Sequence, residues 1–217
     1  MATTKLLVQY GTGDCAEMLR LSGPRHKEYC DKHGYSFIQE FAAPVPPNLS
    51  AMWYKCLLLL RLFRTTSRST RVLYLDADTL IEDVENDHLE ALPDARDMAM
   101  VQMSFTNKKL GLQKAPWFNC GVWMLENSYA SESLLKAVIK KGPVPGAPDF
   151  LQDEARLNEE INSGFPVSVF PLAPEYNAFA CNANIPNVKI RGWHGTPRDT
   201  VRKRMKERLW QLSPQSV

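Results

Sequence analysis

The run from Arg71 to Ile81, Arg-Val-Leu-Tyr-Leu-Asp-Ala-Asp-Thr-Leu-Ile, constrains this chain more than any other stretch. Val72 to Leu75 is continuously apolar, so it reads as a buried strand, and it empties onto two aspartates spaced i, i+2. On an extended chain Asp76 and Asp78 face the same side and can share one hard divalent cation. Ala77 between them leaves room for a ligand. Such a pair suits chemistry on phosphates. The plainer alternative is that the two acids only solvate a strand end.

The remaining pattern interleaves strands with helices. Lys5 to Tyr10 is a short apolar strand that turns at Gly11-Thr12-Gly13. Cys15 to His33 carries apolar residues at helical spacing with Gly34 as its stop, and Gly23-Pro24 is expected to break it into two pieces. Ser36 to Phe41 alternates as a strand, and Ala51 to Phe63 reads as an apolar helix with Lys55 near its start. Strands follow at Met98 to Ser104, Phe118 to Leu125, Val167 to Pro171 and Val188 to Arg191, with helices at Ser131 to Lys141, Gln152 to Ile161 and from Arg198 onward. The expected fold is an α/β, Rossmann-like sandwich with a mixed, largely parallel central sheet flanked by helices. In such sheets ligands bind beyond the carboxyl ends of the strands, where Tyr10-Gly11-Thr12 and Asp76-Ala77-Asp78 both fall.

Composition narrows the function classes. The 217 residues are 44% hydrophobic, enough for one domain with a sizeable core, so 1–217 is read as a single domain, whether alone or within a longer protein. A net charge of +2 demands neither nucleic acid nor an acidic membrane as partner. The basic residues from Arg202 to Arg208 read as a solvated helix face with only Trp210 beside them, so no nucleic-acid partner is expected. No stretch approaches the roughly 20 apolar residues of a membrane span, and the N-terminus lacks the run of a secretory signal. The five cysteines, odd in number and without CxxC spacing, read as reduced thiols. A cytoplasmic setting follows, in which Asn48-Leu49-Ser50 is a chance match to a glycosylation acceptor.

An Asp-x-Asp-Thr run after an apolar strand also occurs in haloacid-dehalogenase-type phosphatases, where the first aspartate is a nucleophile. The downstream metal motif of that family is missing here. Asp149 and Asp153 have its spacing, but Pro148 precedes them where an apolar strand and glycine belong. The chain instead resembles GT-A nucleotide-sugar glycosyltransferases, in particular the retaining group that includes glycogenin and the family 8 and family 34 enzymes. The resemblance rests on Leu7 to Thr12, Trp53 to Leu57, Tyr74 to Leu80, Phe118 to Val122, Asp153 to Asn158, Tyr176-Asn177 and His194-Gly195, in that order.

That resemblance implies a metal-dependent transferase that moves a sugar from a UDP-sugar to a hydroxyl of a glycan or glycoprotein acceptor, with retention. Asp76, Asp78 and His194 are the implied metal ligands, a set that suits Mn2+ better than calcium and also admits Mg2+. Gln9, Tyr10, Gly11 and Thr12 match the stretch that grips base and ribose, with Tyr10 able to stack on uracil; an ordinary strand-ending turn is the alternative. Lys55 matches a basic residue that reaches the phosphates or the sugar, Ala77 and Gly195 are implied donor-binding positions, Asn119 falls along the sugar, and Arg198 falls on the diphosphate in a motif shortened from the family's usual spacing. Asp153 and Glu154 stand where the family reads Asp-Gln. Glu154 either points at the anomeric carbon, as transition-state stabiliser or nucleophile, or outward into solvent. A sugar-nucleotide-binding module without turnover is the alternative from another class. Residues 105–116 and 176–187 are expected to wall the acceptor cleft.

Overall fold

The computed structural model describes residues 3–42, 44, 46, 49–103, 116–178 and 185–213. The expectations placed on 105–115, on 179–184 with Cys181, and on Asn48 lie outside them. In chain order the elements are β1 (Thr4–Tyr10), α1 (Asp14–His33), β2 (Tyr35–Glu40), α2 (Tyr54–Thr65), β3 (Thr70–Leu75), β4 (Thr79–Ile81), β5 (Met98–Met103), β6 (Trp117–Glu126), α3 (Tyr129–Lys141), α4 (Gln152–Asn162), β7 (Val169–Leu172), β8 (Ile190–Gly192) and α5 (Arg198–Leu212). A six-stranded sheet runs β2-β1-β3-β6-β5-β7, and β4 pairs with β8 in a small second sheet. Strands β2, β1 and β3 are mutually parallel, β5 is parallel to β7, and β6 runs antiparallel between β3 and β5. The mixed, mostly parallel α/β sandwich expected from the sequence is the one found.

Alternation along each strand decides which layer it feeds. Val72 and Tyr74 of β3 lie opposite Leu125 and Trp123 of β6, and all four join a core with Phe63 of α2 and Leu134, Leu135 and Val138 of α3. Leu73 and Leu75, paired with Met124 and Val122, face the other side and pack with Tyr29 and Cys30 of α1. Burial on both faces is why β3 reads as unbroken apolar sequence.

Helix α1 continues unbroken through Gly23-Pro24, contrary to the break expected there. Proline cannot donate to the Arg20 carbonyl one turn back, but Pro24 and Arg20 both lie on the exposed face, where water serves that oxygen. Gly23 is needed on the inner face, since a Cβ there would sit 3.3 Å from Gln39 Oε1.

Two departures from regular strand geometry build the ligand edge. Asp76 to Asp78 form a turn, in which the Thr79 amide and hydroxyl both donate to the Asp76 carbonyl, at 3.1 and 2.7 Å. The two carboxylates therefore converge through a tight turn and not by strand alternation, a correction to the extended geometry expected. Strand β6 also breaks register against β5: Met100 lies opposite Trp123, but Val101 lies opposite Asn119. Cys120 to Val122 have no partner on β5, and the Gly121 carbonyl instead accepts the Asp76 amide at 2.8 Å. Among the described residues no helix is long and apolar enough to cross a membrane.

Candidate active site

The turn after β3, the start of β6, the first turn of α4 and the segment after β8 meet at one edge of the sheet. The β4–β8 pairing is what carries His194 there. Thr79 lies opposite Gly192, and the Trp193 amide donates to the Asp78 carbonyl at 3.1 Å, which sets His194 Nδ1 3.3 Å from Asp78 Oδ1. Ligand atoms of Asp76, Asp78 and His194 all lie within 4.8 Å of one another, so the three side chains the sequence pointed to are gathered. Gly121 and Gly192 make the slot for the imidazole: a Cβ at 121 would fall 2.2 Å from His194 Cε1, and one at 192 would fall 2.6 Å from Nε2.

The charges interact strongly. Burial disfavours an ionised Asp78, but the His194 imidazole beside it outweighs this and holds its carboxyl below the usual range. Burial likewise disfavours a charged His194, and Asp78 reverses that effect, so its pKa is raised. Asp76 is pushed up by burial against the pull of Lys55. Two carboxylates and an imidazole converging on one point are a fitting donor set for a borderline divalent cation.

Behind the triad lies a buried ion cluster. Lys55, only 1% exposed, sits 2.9 Å from Asp153 Oδ2 and 3.2 Å from Asp76 Oδ1, and its ammonium also lies 3.2 Å from Cys120 Sγ. Burial opposes the charge on Lys55, but Asp153 and Asp76 more than offset it and hold its pKa well above the ordinary lysine value. The Tyr74 hydroxyl donates to Asp76 Oδ1 at 3.0 Å. Lys55 thus reaches the site through the carboxylates.

Helix α4 delivers Asp153 and Glu154 in its first turn and docks on β6 through Asn158. The Asn158 amide accepts the Phe118 N–H at 2.7 Å and donates to the Phe118 carbonyl at 2.8 Å, completing backbone groups that β3 leaves unpaired. Glu154 is buried, not solvated. It accepts from Trp117 Nε1 at 2.5 Å and from Asn119 Nδ2 and the Cys120 amide at 3.0 Å each. Burial nevertheless leaves its carboxyl raised. Asn119 in turn takes the amide of Asn177, a buried residue that the sequence placed only in a motif and in the expected acceptor wall, 176–187. A polar residue ending the turn Pro174–Asn177, just before a segment that pairs with β8, was the available signal.

The first loop is placed beside the site but turned partly inward. Tyr10 is 9% exposed, stands edge-to-face on Tyr54 at 5.3 Å and donates its hydroxyl to the Ala51 carbonyl at 2.5 Å. Gln9 is fully buried: its Oε1 accepts from His26 Nδ1 at 2.8 Å and from Gln39 Nε2 at 3.1 Å, and its Nε2 reaches the Asp76 carbonyl at 3.5 Å. Gly11 lets the chain pass within 2.9 Å of the Cys15 carbonyl, as measured from a Cβ it does not have. Thr12 is half-buried and Ala77 buried within the turn. Gly195 is exposed at φ 71°, and Arg198, opening α5, donates to Cys15 Sγ at 2.7 Å, across the loop from the triad.

This mixed six-stranded sheet flanked by helices matches the fold of solved GT-A glycosyltransferases. A glycosyltransferase involved in the glycosylation of the major capsid of PBCV-1 matches 94% of this chain and 99% of its own with a TM-score of 0.73 at 15% identity. The galactosyltransferase LgtC, solved with donor and acceptor sugar analogues and also as an active-site glutamine-to-glutamate mutant, matches 98% of both chains with a TM-score of 0.61 at 16% identity. The bifunctional WbbM matches 98% of this chain over 51% of its own, with a TM-score of 0.58 at 14% identity. No family model and no curated protein matches the chain.

Proposed function

We propose that residues 1–217 form one metal-dependent glycosyltransferase domain that moves a sugar from a UDP-sugar to a hydroxyl of a glycan or glycoprotein acceptor, retaining anomeric configuration. The observation that carries this reading is the convergence of Asp76, Asp78 and His194 on one point, in a fold shared with glycosyltransferases. A cation held there, manganese by preference and magnesium as the alternative, would neutralise the charge that grows on the leaving diphosphate.

The chain's own residues do the rest. Asp76 and Asp78 orient the diphosphate end of the donor, and Lys55 holds Asp76 and Asp153 in place through contacts at 3.2 and 2.9 Å. Gly11 and Thr12 lie where the donor's nucleoside would run. Asn119 has one N–H left for a sugar hydroxyl, its other N–H going to Glu154 and its oxygen to Gly121 and Asn177, with Asp153 and Glu154 behind it at the sugar end. Cys15, Cys30, Cys56 and Cys120 are free thiols, which supports a reducing, cytoplasmic setting.

The test is calorimetric titration with UDP, with manganese and then with chelator, followed by an assay for UDP release from UDP-sugars. Manganese-dependent UDP binding that Asp78→Ala abolishes, together with UDP release, is the expected result. Binding without release would make the chain a sugar-nucleotide-binding module. No binding under either condition would overturn both readings.

A further inference from the structure

Glu154 and His194 end a hydrogen-bonded chain that crosses the site, and the direction of every link is fixed. Both Glu154 oxygens accept from groups that can only donate, Oε1 from the Trp117 indole and Oε2 from the Cys120 amide. Oε2 also accepts from Asn119 Nδ2. The oxygen of Asn119 is thereby turned away from Glu154, and there it accepts the Gly121 N–H, another obligate donor, at 2.8 Å. The same oxygen accepts Asn177 Nδ2 at 2.6 Å, which leaves Asn177 Oδ1 facing His194 Nε2 at 3.0 Å. An amide oxygen there calls for a proton on Nε2. Nδ1 is turned to Asp78 Oδ1 at 3.3 Å, a carboxylate that competes for the ring proton until a metal takes its place or the acid is removed.

A glutamine at position 154 cannot serve this chain. Its NH2 would meet either the indole N–H or the Cys120 N–H, two donors with no acceptor between them, in a site where an unmade bond is costly. A protonated glutamic acid has the same fault.

We propose that Glu154 is a positioning residue: an ionised anchor whose polarity, passed through Asn119 and Asn177, holds His194 as the Nε2–H tautomer with Nδ1 presented to the metal. This rests on the metal site of the proposed function, and it accounts for glutamate standing where the resembled family carries glutamine. With both oxygens committed to N–H groups, Glu154 acts through its neighbours and does not attack the sugar.

The experiment uses the full chain with two readouts besides activity. Manganese affinity is followed by the electron paramagnetic resonance of the free ion. The His194 tautomer is read from long-range 1H–15N spectra of metal-free Asp78→Ala at pH 9, in which the competing carboxylate is gone, assigned with Asp78→Ala/His194→Asn. Asp78→Ala should show Nε2–H, and Glu154→Gln in the otherwise wild-type chain should weaken manganese by about 10- to 100-fold, the usual cost of losing an outer-shell partner. In the double variant Trp117→Phe/Glu154→Gln the indole donor is gone and the glutamine NH2 is tolerated, so affinity should return to within about threefold of wild type by the same reasoning. An unchanged affinity in Glu154→Gln, a double variant no better than the single, or an Nδ1–H tautomer in Asp78→Ala would each overturn the relay. If wild type takes up no manganese, the metal reading fails by itself. The tautomer, and the recovery of thermal stability in the double variant over Glu154→Gln, then decide the relay.

Discussion

Replacing Lys55 by methionine keeps most of the side-chain volume and removes one charge, so it isolates the electrostatics of the ion cluster. Lys55 Nζ lies 2.9 Å from Asp153 and 3.2 Å from Asp76, and Lys55 and Asp153 are 1% and 2% exposed. At an effective dielectric constant of about 20, each contact is worth about 5 kcal/mol of raw attraction. Desolvation of the ammonium cancels much of that. Removing one partner of a buried pair nevertheless costs about 3–5 kcal/mol, because the charge left behind has nothing to compensate it. Asp76 is partly exposed at 21% and keeps its bond from Tyr74, so the penalty falls mainly on Asp153. At about 2–4 °C per kcal/mol for a chain of this length, Lys55→Met should lower Tm by roughly 6–20 °C. The assay is urea unfolding with a parallel thermal scan, and its control is Lys55→Met/Asp153→Asn, which neutralises the stranded carboxylate and should recover at least half the loss. A single variant within about 1 kcal/mol of wild type, or a double variant no better than the single, would refute the reasoning.

Gly121→Ala should fold yet lose manganese affinity by more than about tenfold, because the new Cβ would lie 2.2 Å from His194 Cε1 and displace the imidazole. Unaltered manganese binding in that variant would mean the ring does not use this slot. Stability should also fall on mild acidification. His26 is buried, donates from Nδ1 to Gln9 and accepts the Ile81 amide on Nε2, and burial with the nearby Arg25 charge lowers its pKa to about 3. Burial lowers His88 to about 4. Unfolded histidines titrate near pH 6.5, so below that pH the unfolded chain binds protons that the folded one refuses. Each histidine then removes about 1.4 kcal/mol per pH unit until its folded pKa is reached, or about 2 kcal/mol by pH 5. His194, whose pKa is raised, works in the opposite direction over this range, so urea unfolding at pH 7 and pH 5 is compared in His194→Asn, where equal stabilities would refute it.

Much of this arrangement was legible before the structure. The unbroken apolar run before Asp76 marks a strand covered on both sides, and Asp76, Asp78 and His194 do meet. What carries His194 to the turn is a pairing of three residues between β4 and β8, too short to leave a periodic signal. Proline inside α1 misled because sequence shows the lost donor but not that the orphaned carbonyl faces water. The sequence put Lys55 near the start of an apolar helix, whereas only the structure reveals two acids closing over it. Asn177 was expected only in the acceptor wall because its contacts with Asn119 and His194 are set by amide orientations across the cleft, which no spacing encodes.

The register break in β6 makes the segment Cys120 to Val122 a counted spacer. Val122 is tied to Leu75 on one neighbour and Asn119 to Val101 on the other, so the number of residues between them fixes which side of the strand Asn119 presents. Losing or gaining one residue there would rotate Asn119 to the opposite face and part it from Glu154 and Asn177 together. Diversity in what this edge recognises can therefore accumulate by exchange of side chains. Insertions or deletions would leave this geometry intact only in the loops around it.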